Sequence, residues 1–135
     1  MKIVAKTDVG MVRESNQDSY TTGELPNGVA WAVVCDGMGG AAGGNVASST
    51  AVKVIAEQIT SSFRPGMSAN SIKNMMVSAI NAANISVYDI SCSNSELYGM
   101  GTTVVCAIVM EHIAYIAHAG DSRAYIVSHG ALTQL

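Results

Sequence analysis

The sequence has few charged residues and no long hydrophobic run. Only 13% of its 135 residues are charged, and Lys and Arg together number seven, for a formal net charge of −3. So few cations argue against nucleic acid as the main partner, because binding to a phosphate backbone depends on clustered Lys and Arg. Without a run of eighteen apolar residues, no membrane span is predicted. The opening residues, MKIVAK, are charged at once, so we expect no secretory signal peptide.

Cysteine is also scarce, which limits the kinds of chemistry available. The three cysteines are odd in number and lack a Cys-x-x-Cys spacing, so we expect a reducing, cytoplasmic location. A cysteine-dependent phosphatase needs an Arg six positions after its nucleophile, and none is present. The residues at those positions, after Cys35, Cys92 and Cys106, are Ala41, Tyr98 and His112. No Gly-x-Ser-x-Gly motif for a serine hydrolase exists either.

Hydrophobic patterning predicts strands and two long helices in the first two thirds of the chain. Residues 2–7 and 29–35 are predicted strands, the second buried on both faces, and Pro26-Asn27-Gly28 predicts a turn. Helical spacing then predicts a helix that ends near Ser62, and a second helix that Ser68 or Asn70 caps. The expected buried stripe of the second helix is Ile72, Met76, Ile80, Ala83, Val87 and Ile90.

The last third of the chain is predicted to be β-structure, which makes the fold class α+β. Residues 102–110 and 113–118 flank Glu111-His112, a two-residue gap typical of a tight hairpin. A third strand, 123–127, precedes a turn at 128–130 and a further apolar segment, 131–135. Such a segment needs neighbouring strands and a covering layer. We therefore expect the chain to end inside a domain.

Three aspartates occupy turns or predicted strand ends, where a side chain can leave the core. They are Asp18 in Asn16-Gln17-Asp18, Asp36 in Cys35-Asp36-Gly37-Met38-Gly39-Gly40, and Asp121 in Gly120-Asp121-Ser122-Arg123. Carboxylates that lie close together repel one another unless a cation lies between them. The pattern therefore predicts a divalent metal site. A carboxylate beside glycine carbonyls is a hard ligand set that suits magnesium or manganese better than zinc.

Each of these motifs, taken alone, also has a structural explanation. Asp36 would equally serve as the N-cap of the following helix. Asp121 fits an ordinary turn residue with Arg123 as its ion-pair partner. Arg13 offers a planar fork for phosphate oxygens, and it fits equally well a surface arginine paired with Glu14 or Asp18.

The glycine-rich segment also matches a loose dinucleotide-binding fingerprint, Gly37-x-Gly39-x-x-Ala42, with Glu57 near the expected offset of about 20 residues. Asp36 would place a negative charge beside the pyrophosphate, and Glu57 falls inside the predicted helix, so this interpretation is disfavoured. A P-loop is excluded because no Gly-Lys-Ser/Thr follows the glycines. The three histidines lack metal-ligand spacing, and we expect them to be structural or exposed; they are His112, His118 and His129.

Taken in order, four motifs closely resemble the metal-dependent protein serine/threonine phosphatases of type 2C, in their bacterial branch. The motifs are Arg13…Asn16-Gln17-Asp18, Asp36-Gly37-Met38-Gly39-Gly40, Gly101-Thr102-Thr103 and Gly120-Asp121-Ser122-Arg123-Ala124-Tyr125. The resemblance implies a β-sandwich flanked by antiparallel helix pairs, in four α-β-β-α layers. Residues 1–135 would be the N-terminal portion of this single domain. Relatives continue into a Thr-x-Asp-His segment and two further metal-binding aspartates.

The resemblance also implies the site and its chemistry. Water bridging two Mn²⁺ or Mg²⁺ ions would hydrolyse phosphoserine and phosphothreonine in proteins, and a third ion would bind more weakly. Asp36 would bridge the two ions, the Gly37 carbonyl would complete one shell, and Asp18 would act through metal-bound water. Asp121 would help to bind the third ion, and Arg13 would hold the substrate phosphate. Phosphorylated proteins are the implied substrates, with a serine/threonine kinase as the cognate partner.

Two residues depart from the family pattern. Met38 replaces a histidine that eukaryotic relatives carry as the proposed general acid, and Gln17 replaces an acidic residue found in some relatives. No chemistry is expected of Gly101-Thr102-Thr103. The alternative function is a non-catalytic binding or assembly module. For residues 1–135 alone we expect weak metal binding, no robust turnover, and either self-association or instability.

Overall fold

An antiparallel sheet with two helices packed on one face forms the body of the molecule, as an α+β fold. The computed structural model describes residues 1–135, except for the side chain of residue 41. The elements in chain order are β1 (Asp18–Leu25), β2 (Val29–Met38), α1 (Gly40–Ser62), α2 (Ala69–Ser93), β3 (Gly101–Thr102), β4 (Val104–Met110), β5 (Ile113–Ala119), β6 (Tyr125–Ser128) and β7 (Ala131–Gln134).

The sheet has the order β1-β2-β4-β5, and β3 pairs with the last residues of β2. All of its pairings are antiparallel, and β6 and β7 form a separate hairpin. Alternate residues of β2 point toward the helices, which is why Trp31, Val33 and Cys35 are buried. They pack with Ile55 and Ile59 of α1, and with α2, in one hydrophobic core.

The end of α1 and the start of α2 lie close to where the sequence predicts them. α1 ends at Ser62, before a turn at residues 65–66. Ser68 is the N-cap of α2, and its side-chain oxygen accepts a hydrogen bond from the backbone N–H of Ser71 at 3.2 Å. The α2 stripe is confirmed: its buried apolar residues are Ile72, Met75, Met76, Ala79, Ala83 and Val87, with Ile80 and Ile90 partly buried. The hairpins at 111–112 and 129–130 are confirmed as well.

Two interpretations of the first forty residues are wrong, and one strand there was not predicted. Residues 2–7 form no strand, because no neighbouring strand takes up their backbone hydrogen bonds. A strand instead covers Asp18–Leu25, where exposed and partly buried positions alternate along a mostly polar segment up to the buried Leu25. Asp36 is not a helix cap, since β2 continues through Met38 and the N-cap position of α1 is Gly39. The turn at Pro26–Gly28 is confirmed as a short 3₁₀ segment.

The second face of the sheet carries apolar side chains that no helix covers. Tyr20 and Val34, paired across β1 and β2, are 41% and 49% exposed. Small and branched residues of β4 and β5, such as Ala107 and Ile116, continue this surface. The chain thus contributes one helix layer and one main sheet to the four-layer arrangement. Within the described residues, neither helix is long and apolar enough to cross a membrane.

Candidate metal centre

The register of the first hairpin brings two of the predicted metal ligands together. Asp18 of β1 lies directly opposite Asp36 of β2, and both side chains are exposed on the sheet face away from the helices. Directly opposite residues on one face have Cβ atoms about 4.5–5.5 Å apart, and like charges there destabilise the sheet. Two carboxylates in this arrangement form a site that favours a cation.

The pKa of Asp18 reflects this crowding. Partial burial raises the pKa of the Asp18 carboxyl above its usual value, and the neighbouring charge of Asp36 raises it further. The positive charge of Arg13 acts in the opposite direction and lowers the pKa. Arg13 is therefore close enough to the carboxylate pair to act on it, although its side chain is exposed.

Two threonines hold the backbone of Asp36: Thr102, the last residue of β3, and Thr103, which lies between β3 and β4. The N–H of Thr103 donates to the carbonyl oxygen of Asp36 at 2.9 Å, and the hydroxyl of Thr102 donates to the same oxygen at 3.0 Å. The N–H of Asp36 donates to Oγ1 of Thr103 at 3.1 Å. Both polar groups of the Asp36 backbone are thus satisfied, which fixes the direction of its side chain. The sequence reasoning assigned these threonines no role.

The glycines after Asp36 allow the end of β2 to lie against the first turns of α1. A Cβ atom on Gly37 would overlap the carbonyl oxygen of Gly44, so only a glycine fits at this contact. The N–H of Gly37 donates to the carbonyl oxygen of Gln17 at 3.1 Å, and the Gln17 amide donates to the carbonyl oxygen of Gly40. Gln17, the residue before β1, therefore links the end of β2 and the start of α1 by hydrogen bonds.

Most of the predicted site residues line an open cavity of about 670 Å³. Arg13, Asp36, Gly37 and Asp121 all line it, together with Thr103. Asp18 does not line this cavity, but it neighbours Asp36 across the strand pair. A second cavity of about 620 Å³, between α2 and β5, is mostly apolar and contains none of these aspartates. The chemistry therefore points to the first cavity.

The donor set fits a hard divalent cation, but only in part. Two adjacent carboxylates and a third on the cavity wall are oxygen ligands of the kind that Mg²⁺ and Mn²⁺ prefer. Among the side chains that the structure describes, no group of three or more His, Cys, Asp or Glu is close enough to hold an ion. Asp121 thus lies at the same cavity without joining the Asp18–Asp36 pair.

The geometry argues against two other chemistries, a dinucleotide site and a cysteine nucleophile. The β2–α1 segment belongs to an antiparallel sheet and Glu57 lies inside α1, so it lacks the parallel β-α-β unit of a dinucleotide site. Burial raises the pKa of Cys35 and of Cys106 to about 12, so neither is a thiolate nucleophile at neutral pH. The histidines are exposed, as expected; they are His112, His118 and His129.

Comparison with known proteins decides the family. The family model described as Protein phosphatase 2C matches residues 12–135. The chain belongs to the protein phosphatase 2C family. The resemblance read from the four motifs is therefore confirmed, and so is the α+β fold class.

Two bacterial phosphatases illustrate how the chain compares with its relatives. The serine/threonine phosphatase stp of Listeria monocytogenes is 34% identical over 130 residues, which cover 96% of this chain and 51% of that protein. The serine/threonine protein phosphatase PstP of Mycobacterium tuberculosis is 31% identical over 135 residues, 100% of this chain and 24% of that protein. The chain thus spans about half of the Listeria phosphatase and about a quarter of PstP.

Solved structures of the family have the same fold. The serine/threonine phosphatase of S. agalactiae matches with a TM-score of 0.86 at 31% identity, over 96% of this chain and 52% of that chain. The catalytic domain of PstP in complex with two manganese ions matches with a TM-score of 0.78 at 30% identity, over 96% and 52%.

Proposed function

We propose that residues 1–135 form the N-terminal part of the catalytic domain of a metal-dependent protein serine/threonine phosphatase. The observation that carries this proposal is the pairing of Asp18 with Asp36 beside a cavity that also contains Arg13 and Asp121. The family assignment and the two manganese ions of the PstP structure support it. The substrates would be phosphoserine and phosphothreonine in proteins.

Residues of this chain would supply part of the ligand set for two Mn²⁺ or Mg²⁺ ions and for a third ion that binds more weakly. Asp36 would bridge the two ions, with the Gly37 carbonyl as a further ligand to one of them. Asp18 would act through an intervening water, and Asp121 would serve the third ion. When bound, such ions lower the pKa of water toward neutrality and so provide a nucleophile for phosphorus. No covalent enzyme intermediate is needed.

Arg13 would bind the phosphate of the substrate. Its exposed guanidinium lines the same cavity as Asp36, and a planar fork of N–H donors matches two phosphate oxygens. The same donors would stabilise the charge that develops on the phosphoryl group. Met38, exposed at the end of β2, has a thioether and no proton to give. Met38 would therefore not serve as a general acid for the leaving serine or threonine oxygen.

The cellular setting follows from the same proposal. A phosphatase of this kind acts on phosphorylated proteins and opposes a cognate serine/threonine kinase, without a nucleic-acid or membrane partner. The three cysteines are free thiols, which supports a reducing, cytoplasmic location.

Residues 1–135 alone would bind metal weakly, turn over substrate poorly and self-associate. The partial donor set supports the first two expectations, and the half-exposed apolar sheet face around Tyr20 and Val34 supports the third. Light scattering of the purified 135-residue chain tests self-association, and a monodisperse monomer would contradict that part of the proposal.

The decisive activity assay uses the complete gene product that contains this chain. With Mn²⁺ or Mg²⁺ it should hydrolyse p-nitrophenyl phosphate and a phosphothreonine peptide, and Asp36→Asn should abolish turnover. Asp89→Asn is the matched control, because Asp89 is an exposed carboxylate on α2, outside the site cavity. Full activity of Asp36→Asn, or turnover that survives thorough chelation, would overturn the proposed function.

A further inference from the structure

Thr103 is a buried polar residue between two parts of the site. It follows β3 directly and precedes β4, and only 5% of its surface is exposed. Its side chain carries a hydroxyl, which contacts both Asp36 and the Gly120–Ser122 turn, and a methyl group, which contacts the same turn. A buried hydroxyl is costly unless it is hydrogen-bonded, so its partners show what the residue holds in place.

The first contact of Thr103 is with Asp36. The backbone N–H and the side-chain Oγ1 of Thr103 together engage both polar groups of the Asp36 backbone, at 2.9 and 3.1 Å. These bonds join residues 67 positions apart in the sequence. Thr103 thus fixes the backbone from which the Asp36 carboxylate extends.

The second contact of Thr103 is with the turn that carries Asp121. Oγ1 of Thr103 lies 2.6 Å from the hydroxyl oxygen of Ser122, the residue after Asp121. The methyl group packs against Gly120, the residue before it: a Cβ added to Gly120 would lie 2.8 Å from Cγ2 of Thr103. Gly120 has φ +97°, a conformation that favours glycine, and the absence of a side chain there leaves room for the Thr103 methyl group.

We propose that Thr103 is a positioning residue that couples the backbone of Asp36 to the Gly120–Ser122 turn and so sets the spacing between the Asp36 and Asp121 carboxylates. One hydroxyl can accept the Asp36 N–H and still donate to Ser122, because it has one proton and two lone pairs. This inference rests on the proposed function, since the spacing matters through the cations that the carboxylates hold. Residues that orient metal ligands typically change metal affinity by 10–100-fold when they are lost.

The test measures Mn²⁺ binding to the complete gene product by electron paramagnetic resonance of the free ion. Thr103→Val keeps the methyl arm and the shape but removes the hydroxyl, and it should weaken Mn²⁺ binding about tenfold. Thr103→Ser keeps the hydroxyl and should restore most of the affinity. Ser122→Ala should weaken binding in the same direction. The double variant should bind no more weakly than Thr103→Val alone, because both substitutions break one link.

The matched control is Ser91→Ala. Ser91 is also a buried hydroxyl; it accepts the N–H of Gly99 at 3.0 Å and donates to the Leu97 carbonyl at 3.1 Å, outside the site cavity. It should lower the free energy of unfolding about as much as Thr103→Val and leave Mn²⁺ affinity unchanged. Saturating Mn²⁺ should also return kcat of Thr103→Val toward the wild-type value.

The outcomes separate the two proposals. If Asp36→Asn binds Mn²⁺ as tightly as the wild type, the proposed metal centre itself is wrong. If Asp36→Asn loses binding but Thr103→Val and Ser122→Ala both bind like the wild type, only the positioning role is overturned. Should Thr103→Val fail to fold, Ser122→Ala still decides the matter, because it breaks the same hydroxyl link at a partly buried residue and leaves the Thr103 methyl contact intact.

Discussion

Gly37 of β2 and Gly44 of α1 lie so close that a side chain on Gly37 has no room. A Cβ added at Gly37 would overlap the Gly44 carbonyl oxygen and lie 2.5 Å from its carbon and 2.8 Å from its Cα. These are backbone atoms, which cannot turn aside as a long side chain can. Gly37→Ala must therefore separate the end of β2 from the start of α1 by more than about 0.5 Å in a closely packed interior.

The expected cost of Gly37→Ala is a loss of about 1–3 kcal/mol in the free energy of unfolding, the usual range for overpacking a rigid site. Urea denaturation measures it, with fluorescence of Trp31 as the signal. Trp31 is the only tryptophan and is 6% exposed, so its environment changes on unfolding. The midpoint should fall while the slope stays the same, because the change affects stability and not the surface exposed on unfolding.

Gly101→Ala is the matched control, since Gly101 pairs with Met38 one step along the same β2–β3 ladder as Gly37. A Cβ at Gly101 would lie 3.6 Å from the Met38 side chain, an ordinary contact. Its unfolding free energy should stay within about 0.5 kcal/mol of the wild type. Equal urea midpoints for Gly37→Ala and the wild type, or equal losses for the two alanine variants, would refute the steric reasoning.

Three further predictions concern charge and reactivity. Asp18→Asn should stabilise the metal-free chain by about 0.2–1 kcal/mol, toward the low end for exposed groups, and should weaken Mn²⁺ binding. Because the pKa of Asp18 is raised in the fold, the wild type should become less stable than Asp18→Asn as pH rises through that pKa and the carboxyl ionises. A lower melting temperature of Asp18→Asn than of the wild type in EDTA would contradict this expectation. A thiol reagent should modify exposed Cys92 quickly and Cys35 and Cys106 only on unfolding, since burial raises the pKa of both buried thiols to about 12. Equal modification rates of all three cysteines in the folded chain would contradict the burial of Cys35 and Cys106. Arg13→Ala should raise KM for a phosphopeptide more than it lowers kcat, because phosphate contact exists in the ground state too; an unchanged KM would return Arg13 to a surface role.

The helices were predictable because their evidence is local. Apolar residues recur at helical spacing along α1 and α2, and Ser68 supplies a cap at the expected place. The strands were less certain, because a strand depends on a partner elsewhere in the chain. Residues 2–7 have a strand-like pattern but no neighbouring strand to pair with. β1 is mostly polar, and its pairing with β2 makes it a strand. Its run of strand-favouring residues, Tyr20-Thr21-Thr22, was the signal that could have identified it.

The candidate site was predictable as a set of residues but not as a geometry. Asp18, Asp36 and Asp121 were identified from their motifs, yet only the β1–β2 register shows that Asp18 faces Asp36. The role of Thr103 was missed because its contacts join segments far apart in the sequence. No local pattern encodes such a contact. The position of Gly101-Thr102-Thr103 within the ordered motifs was the one available hint.

The central claim is that Asp36 and Gly37 hold a divalent ion at this cavity. Anomalous diffraction from crystals of the complete gene product, grown with Mn²⁺, tests it most directly. We expect manganese density bonded to the Asp36 carboxylate and the Gly37 carbonyl, with Asp18 linked through water, and no such density in Asp36→Asn. Manganese bound elsewhere, with the Asp36 carboxylate free of metal in an active enzyme, would contradict it.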